Sequence, residues 1–389
     1  RQRLSTVYMP GYKITMLPDA VVQNYTLSEG QTCPAVSLYV TFSEADLEIQ
    51  KTETRLERVP IVVNLRHDQL DDRITREWLE GEDNTDHADV PVSRATLGFF
   101  WRLAQTLKAR REVVRGKPET FNRPDYSFKL DRASNDTPPT GEETVLIGVR
   151  QRGAPLDLMV AEAMILANST WGQWLAQLGV PGIYRSQASL APGVKVRMGT
   201  KALPHAGIGV PSYAWSTSPL RRYTDLVNQW QIIACARHGA TAALAAPFKP
   251  KDAELFSVIS AFDAAYSGYN AVQSGMERYW TLRHLQQQGI TELDATLVKE
   301  AAGGAWLVRA ETLPLVFSVM GAQGLPRGTK VRVRLGDIDL MALDVSGTVI
   351  AQLDAQATNV EAEGEEDDTD SAGPLQIAVD LNDTSPSAS

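Results

Sequence analysis

The chain has 389 residues, 43% hydrophobic and 22% charged, a make-up that suits a soluble globular protein of two or three domains. No run of about eighteen apolar residues occurs, and two cysteines and five scattered histidines give neither a disulfide framework nor a zinc spacing. The formal net charge of −9 argues against nucleic acid at first sight. However, ten of the 47 acidic residues and no basic one lie between Gln352 and Ser389, which leaves 38 basic against 37 acidic residues elsewhere.

Arg1 stands first and a strand-like Ser5–Gly11 pattern is already under way, so a missing beginning is expected. Val36, Leu38, Val40 and Phe42 alternate with other residues and predict a strand. A turn at Ser43–Asp46 and a second strand over Glu48–Leu56 complete a hairpin. Ile61–Asn64 reads as a further short strand. His67–Glu80 reads as a helix whose early acids suit its dipole.

A polar loop over Gly81–Asp89 leads to a helix from Val92 to Val114, ending near Gly116. Strands at Phe128–Leu130 and Thr144–Arg150 flank a proline-bearing loop, Asn135–Thr140. A helix over Pro155–Leu178 carries Leu156, Val160, Met164, Ala167 and Trp171 at helical spacing, and Gly179 stops it. Ser218-Pro219 opens another helix running to Ala236, and a long one covers Lys251–Gln288. Leu297–Ile350 is a series of short β-rich pieces broken by Gly303-Gly304, Gly324 and Gly347, the pattern of a small OB-type barrel. Leu353–Ser389 is acidic and predicted to be disordered. The fold class is α+β, with no internal repeat.

The run Thr217-Ser218-Pro219-Leu220-Arg221-Arg222 carries the chemistry. Thr217 or Ser218 is a good N-cap, and proline belongs at the first helical position. Arg221 and Arg222 in the first turn oppose the dipole unless an anion binds there, and Asp225 is spaced to orient Arg221. A surface helix with an Arg–Asp pair explains the same residues. By physics alone both readings stand.

The stretch Tyr213-Ala-Trp-Ser-Thr-Ser-Pro-Leu-Arg-Arg-Tyr-Thr-Asp225 resembles the signature of the ribonuclease II and R (RNB) family of exoribonucleases. Thr6-Val-Tyr-Met-Pro-Gly-Tyr-Lys-Ile-Thr-Met-Leu-Pro18, Arg123–Phe128, Met159–Asn168 and Gly182–Arg185 match in order and spacing. The resemblance implies an RNB catalytic domain over residues 1–288, a mixed β-sheet or barrel with long helices around it. It further implies an OB-fold RNA-binding barrel over 289–353 and an acidic tail over 354–389. It implies hydrolysis of single-stranded RNA from the 3′ end, processively, to nucleoside 5′-monophosphates, with magnesium. It places the catalytic arginine at Arg221. RNA contacts are implied at Tyr8, Phe121, Tyr126, Glu162, Thr217, Ser218 and Arg222, and at His67, where the family has an aromatic. For Tyr8 and Phe121 a core aromatic is the alternative, and for Glu162 a structural carboxylate.

Three residues depart from the family: His67, Ala161 where the first of two glutamates is expected, and Gln187 in place of a histidine. The Asp-rich magnesium motif falls upstream of Arg1, so no metal ligand is expected in this chain, and the chain alone is expected to bind RNA weakly and cleave nothing. The expected setting is a cytoplasmic monomer away from membranes. The alternative is an RNB-like RNA-binding protein that has lost catalysis.

Overall fold

The computed structural model describes residues 3–119, 124–150 and 153–353, the side chains of 67, 68 and 150 excepted. Phe121 and the acidic stretch 354–389 lie outside the described residues.

The chain opens as a tight hairpin, β1 (Val7–Met9) with β2 (Tyr12–Ile14), followed by the short helix α1 (Asp19–Tyr25). The alternating stretch forms a long antiparallel pair, β3 (Thr32–Phe42) with β4 (Ile49–Pro60). Ile61 still exchanges backbone bonds with Gly30 and Gln31. The strand expected over Ile61–Asn64 does not form; the segment is irregular and Val62 is 78% exposed.

The helix expected over His67–Glu80 is two pieces, α2 (His67–Leu70) and α3 (Arg76–Glu80). Thr75 is the reason. Its hydroxyl accepts the Trp78 N–H at 3.2 Å, so it caps a new helix instead of continuing the old one. Ser93 caps α4 (Arg94–Arg115) in the same way, and Gly116 ends it at a φ of 79°.

Next come the hairpin β5 (Asp125–Leu130) with β6 (Val145–Arg150), and the helix α5 (Pro155–Gln177). A short pair, β7 (Tyr184–Ser186) with β8 (Arg197–Gly199), precedes α6 (Tyr223–His238), α7 (Ala242–Ala245) and the 36-residue α8 (Ala253–Gln288).

The helical part has several packed cores. Trp78, Leu97, Trp101 and Leu156 join α3, α4 and α5. Trp171, Leu175, Ile232 and Cys235 join α5 to α6, with Val36 and Leu38 of β3 packed against them. Ile165, Tyr213, Trp215 and Phe262 join α5, the segment before α6, and α8. Each fully buried large side chain contributes about 1.5–3 kcal/mol.

The last five strands are β9 (Glu292–Glu300), β10 (Trp306–Ala310), β11 (Val316–Met320), β12 (Lys330–Asp339) and β13 (Asp344–Gln352). They close into a barrel in the order β10-β11-β13-β12-β9, with β11 and β13 parallel. This is the five-stranded Greek-key arrangement of an OB-fold, as the texture of Leu297–Ile350 predicts. Leu282 and Leu285 from the end of α8 complete the barrel's core. The cations of the KVRVR run do not form an open basic stripe. Arg332 holds Asp294 through two bonds of 2.7 and 3.0 Å, and Arg334 holds Glu292 at 3.1 and 3.0 Å, both across the β9–β12 pairing.

Candidate nucleic-acid interface

The signature run is a turn, not a helix start. Arg221 and Arg222 both donate their backbone N–H to Ser218 O, at 3.2 and 3.0 Å, and α6 begins only at Tyr223. Ser218 is therefore no N-cap. The anion that the helix start calls for is Asp225, in its first turn. Asp225 is also paired otherwise than its spacing predicts. Its carboxylate binds Arg222, with Nε donating to Oδ2 at 2.8 Å and Nη2 to Oδ1 at 2.9 Å. Arg222 is 2% exposed, and its guanidinium carbon lies 4.0 Å from the centre of the Trp215 ring. Arg221 instead sits partly exposed on the turn.

The amino-terminal strand is bonded to this turn. Thr6 N–H donates to Arg221 O at 2.9 Å, Ser5 Oγ to the same oxygen at 3.1 Å, and Tyr223 N–H to Leu4 O at 2.9 Å. Two residues beyond Thr6, the Tyr8 N–H is held by Gln273 Oε1 of α8 at 2.8 Å, with the ring half-buried. Two residues more than 200 positions apart in sequence, Tyr8 and Arg221, thus share one backbone frame.

Asn168, unexposed on α5, fixes the approach to the turn. Its Oδ1 accepts the Ser216 N–H at 2.9 Å, and its Nδ2 donates to Tyr213 Oη at 3.3 Å and Thr217 Oγ1 at 3.4 Å. Thr217 thus lies beside the turn with its hydroxyl on Asn168, and Ser218 is buried with its N–H on Asp225 Oδ1 at 2.9 Å.

The other expected RNA contacts sit elsewhere. Glu162 is 2% exposed and turned onto Arg111 of α4, which donates Nε to Oε2 at 2.9 Å and Nη2 to Oε1. Arg111 also reaches Ile208 O at 2.6 Å and Glu119 at 3.5 Å. Burial, with Glu119 sharing the guanidinium, pushes the Glu162 carboxyl above the usual carboxylate range, while Arg111 opposes the shift. Tyr126, half-buried on β5, is pushed up by burial and by the charge of Glu311 on the barrel, so it lies at the seam between hairpin and barrel. His67 begins α2; its side chain, like Phe121, lies outside what is described.

Sequence reasoning missed Arg111, Asn168, Trp215 and His205. Asn168 closes the quoted Met159–Asn168 run, and a polar residue on an otherwise apolar helix face was the available signal. Gln187 acts as a staple, with Oε1 taking the Gly207 N–H at 3.0 Å and Nε2 donating to Val194 O at 3.1 Å. His205 is 2% exposed; its Nδ1 accepts the Ile208 N–H at 3.2 Å, which puts the ring proton on Nε2.

Burial, and then the charge of Arg185, push His205 down to about 3. An unfolded histidine titrates near 6.5, so the unfolded state takes up the proton first. The stability linked to His205 is complete above about pH 6.5 and is lost as pH falls below it. The melting temperature is therefore expected to drop between pH 7 and pH 5 by more in the parent than in a His205→Gln variant. An equal drop in both removes His205 from that dependence.

Among the described residues no group of three His, Cys, Asp or Glu side chains is placed to hold a metal ion. The described residues therefore do not fit a magnesium site. No helix among them is long and apolar enough to cross a membrane.

Comparison with known proteins places the chain in a family. The model of the RNB domain matches residues 1–196 and 194–238. An uncharacterized ribonuclease of Synechocystis is 25% identical over 313 residues, covering 74% of this chain and 42% of its own length. The chain thus spans about two fifths of that relative. The Dss1 exoribonuclease of Candida glabrata, solved as an active-site mutant, superposes with a TM-score of 0.71 at 19% identity, over 90% of this chain and 47% of that one. Mycoplasma genitalium RNase R, solved with ribose-methylated single-stranded RNA, gives 0.67 at 15% identity, over 89% and 63%. The five sequence motifs, the bonded Tyr8–Arg221 frame and the family match over more than half its length make this chain a member of the RNB family.

Proposed function

We propose that this chain grips the 3′ end of single-stranded RNA for stepwise 3′-to-5′ hydrolysis, processive and magnesium-dependent, releasing nucleoside 5′-monophosphates. The observation that carries the reading is the backbone bonding of the Tyr8 strand to the Arg221 turn. It sets a flat ring and a guanidinium fork on one scaffold, one for a base and one for a phosphate. Stacking tolerates any base, and the fork matches phosphate oxygens, as a sequence-blind exonuclease requires. Thr217 borders the same grip.

Glu162 and Arg222 do not serve RNA in this reading, because each is buried against a partner of opposite charge. Arg221 is partly exposed, and in this reading its guanidinium meets charge developing on a phosphoryl oxygen. The steps assigned to this chain are holding and orienting the strand; none is routed through a metal.

The test is incubation of the full-length protein with a 3′-labelled single strand, with and without magnesium; this chain alone is expected to hold the strand without shortening it. Mononucleotides released one at a time from the labelled end support the proposal. Internal fragments overturn it, and RNA that is bound but never shortened turns it into the binding-protein reading. Affinity should fall with salt, since phosphate contacts release counterions.

A further inference from the structure

We infer that Asp225 is a positioning residue that holds Arg221 in register for RNA phosphate, acting through Ser218 and Arg222; this rests on the reading of Arg221 given above. Asp225 is fully buried, yet it touches neither Arg221 nor the surface in any hydrogen bond described above. It clamps the residues on either side of Arg221. Oδ1 takes the Ser218 N–H at 2.9 Å, three residues before. Both carboxylate oxygens take the Arg222 guanidinium, one residue after. Thr224 Oγ1 lies 3.4 Å from Oδ2.

The guanidinium of Arg222 is fixed a second time. Its carbon lies 4.0 Å from the Trp215 ring centre, and that of Arg185 lies 4.1 Å from the same centre. Phe262 and Tyr266 of α8 pack against the same indole. With both ends of the turn tied to one carboxylate and the Arg221 carbonyl tied to Ser5 and Thr6, the Arg221 backbone has one place to be. A side chain carried on so fixed a backbone has less freedom to lose when it meets phosphate.

The sign of a substitution separates this role from a plain charge effect. Asp225→Asn removes a negative charge near an RNA site, which by electrostatics alone tightens RNA binding. If Asp225 positions Arg221, the same change weakens it, because the amide offers one acceptor where the carboxylate offers two. The experiment measures affinity of the full chain for a fluorescent single-stranded RNA across a salt series, for the parent, Asp225→Asn, Arg221→Ala and the double variant.

The expected result is weaker binding in Asp225→Asn, with a salt slope shallower by about 0.7, the share of one single-strand phosphate contact. Arg221→Ala should show the same loss, and adding Asp225→Asn to it should bring no further loss. Tighter binding in Asp225→Asn, or losses that add in the double variant, overturns the inference. If Asp225→Asn does not fold, Arg222→Lys takes its place. It keeps the charge but cannot bridge both oxygens, and it must weaken binding without adding to Arg221→Ala. A parent chain that binds no RNA overturns the proposed function together with this inference. A parent that binds while Arg221→Ala binds equally well removes Arg221 alone, and the inference with it.

Discussion

Replacing Arg221 with alanine in the full-length protein should lower the rate of RNA turnover by roughly 100-fold or more, about 2.7 kcal/mol of transition-state stabilisation. Affinity for the single strand should change far less. The asymmetry follows from what the side chain is placed to do. In the ground state its fork is one of several grips on a strand that is also stacked. As the phosphodiester is attacked, charge gathers on the phosphoryl oxygens, and a fixed guanidinium gains most there. Single-turnover rates and equilibrium affinities measured on the same RNA separate the two terms. An unchanged rate removes Arg221 from the chemistry. An equal loss in rate and affinity reduces it to a simple phosphate contact.

Arg111→Met should destabilise the fold by about 3–5 kcal/mol, because it leaves carboxylates buried without their cation. Arg111 is 8% exposed in its side chain, and the two carboxylates that share it, Glu162 and Glu119, are 2% and 4% exposed. It also holds Ile208 O, so one residue joins α4, α5 and the loop before the signature segment. The sign with pH is fixed by linkage. Burial already raises the Glu162 carboxyl, and loss of Arg111 raises it further. The folded variant then binds more protons than the unfolded chain at every pH between the ordinary carboxylate range and the raised value. Its stability therefore falls as pH rises through that window and recovers toward acid. Urea unfolding at pH 5 and pH 7.5 checks this: the deficit against the parent should be larger at pH 7.5. A deficit equal at both values would mean that lost packing of the arginine stem, not charge, accounts for the effect.

The barrel and the long helices were legible because their signals are local and repeat. Alternation marked β3, short β-rich pieces broken by glycines marked the barrel, helical spacing marked α5, and glycines marked the ends of α4 and α5. The site was legible in its residue types but not in its pairings. Asp225 at four residues from Arg221 looked like its partner, yet the backbone turns at Ser218 and presents Arg222 instead. Spacing rules assume that the helix has already begun, and here it has not. Glu162 was equally ambiguous: a glutamate on an apolar helix serves a ligand or a buried cation, and the cation, Arg111, lies 51 residues away in sequence. The charges of Arg332 and Arg334 likewise acquire their partners only in the fold, where Asp294 and Glu292 face them from the neighbouring strand.

Helix α8 has a further consequence, one of length and phase. At 1.5 Å per residue its 36 residues span about 54 Å. Phe262 stands behind Trp215, Gln273 holds the strand of Tyr8, and Leu282 and Leu285 anchor the barrel. The three stations lie about 16 Å and about 14–18 Å apart along one rigid rod. The rod works as a ruler. Its side chains can vary between stations, but one inserted residue would advance everything downstream by about 1.5 Å and rotate it by about 100°. The spacing from arginine to aromatic to barrel is thus written in the chain as a residue count.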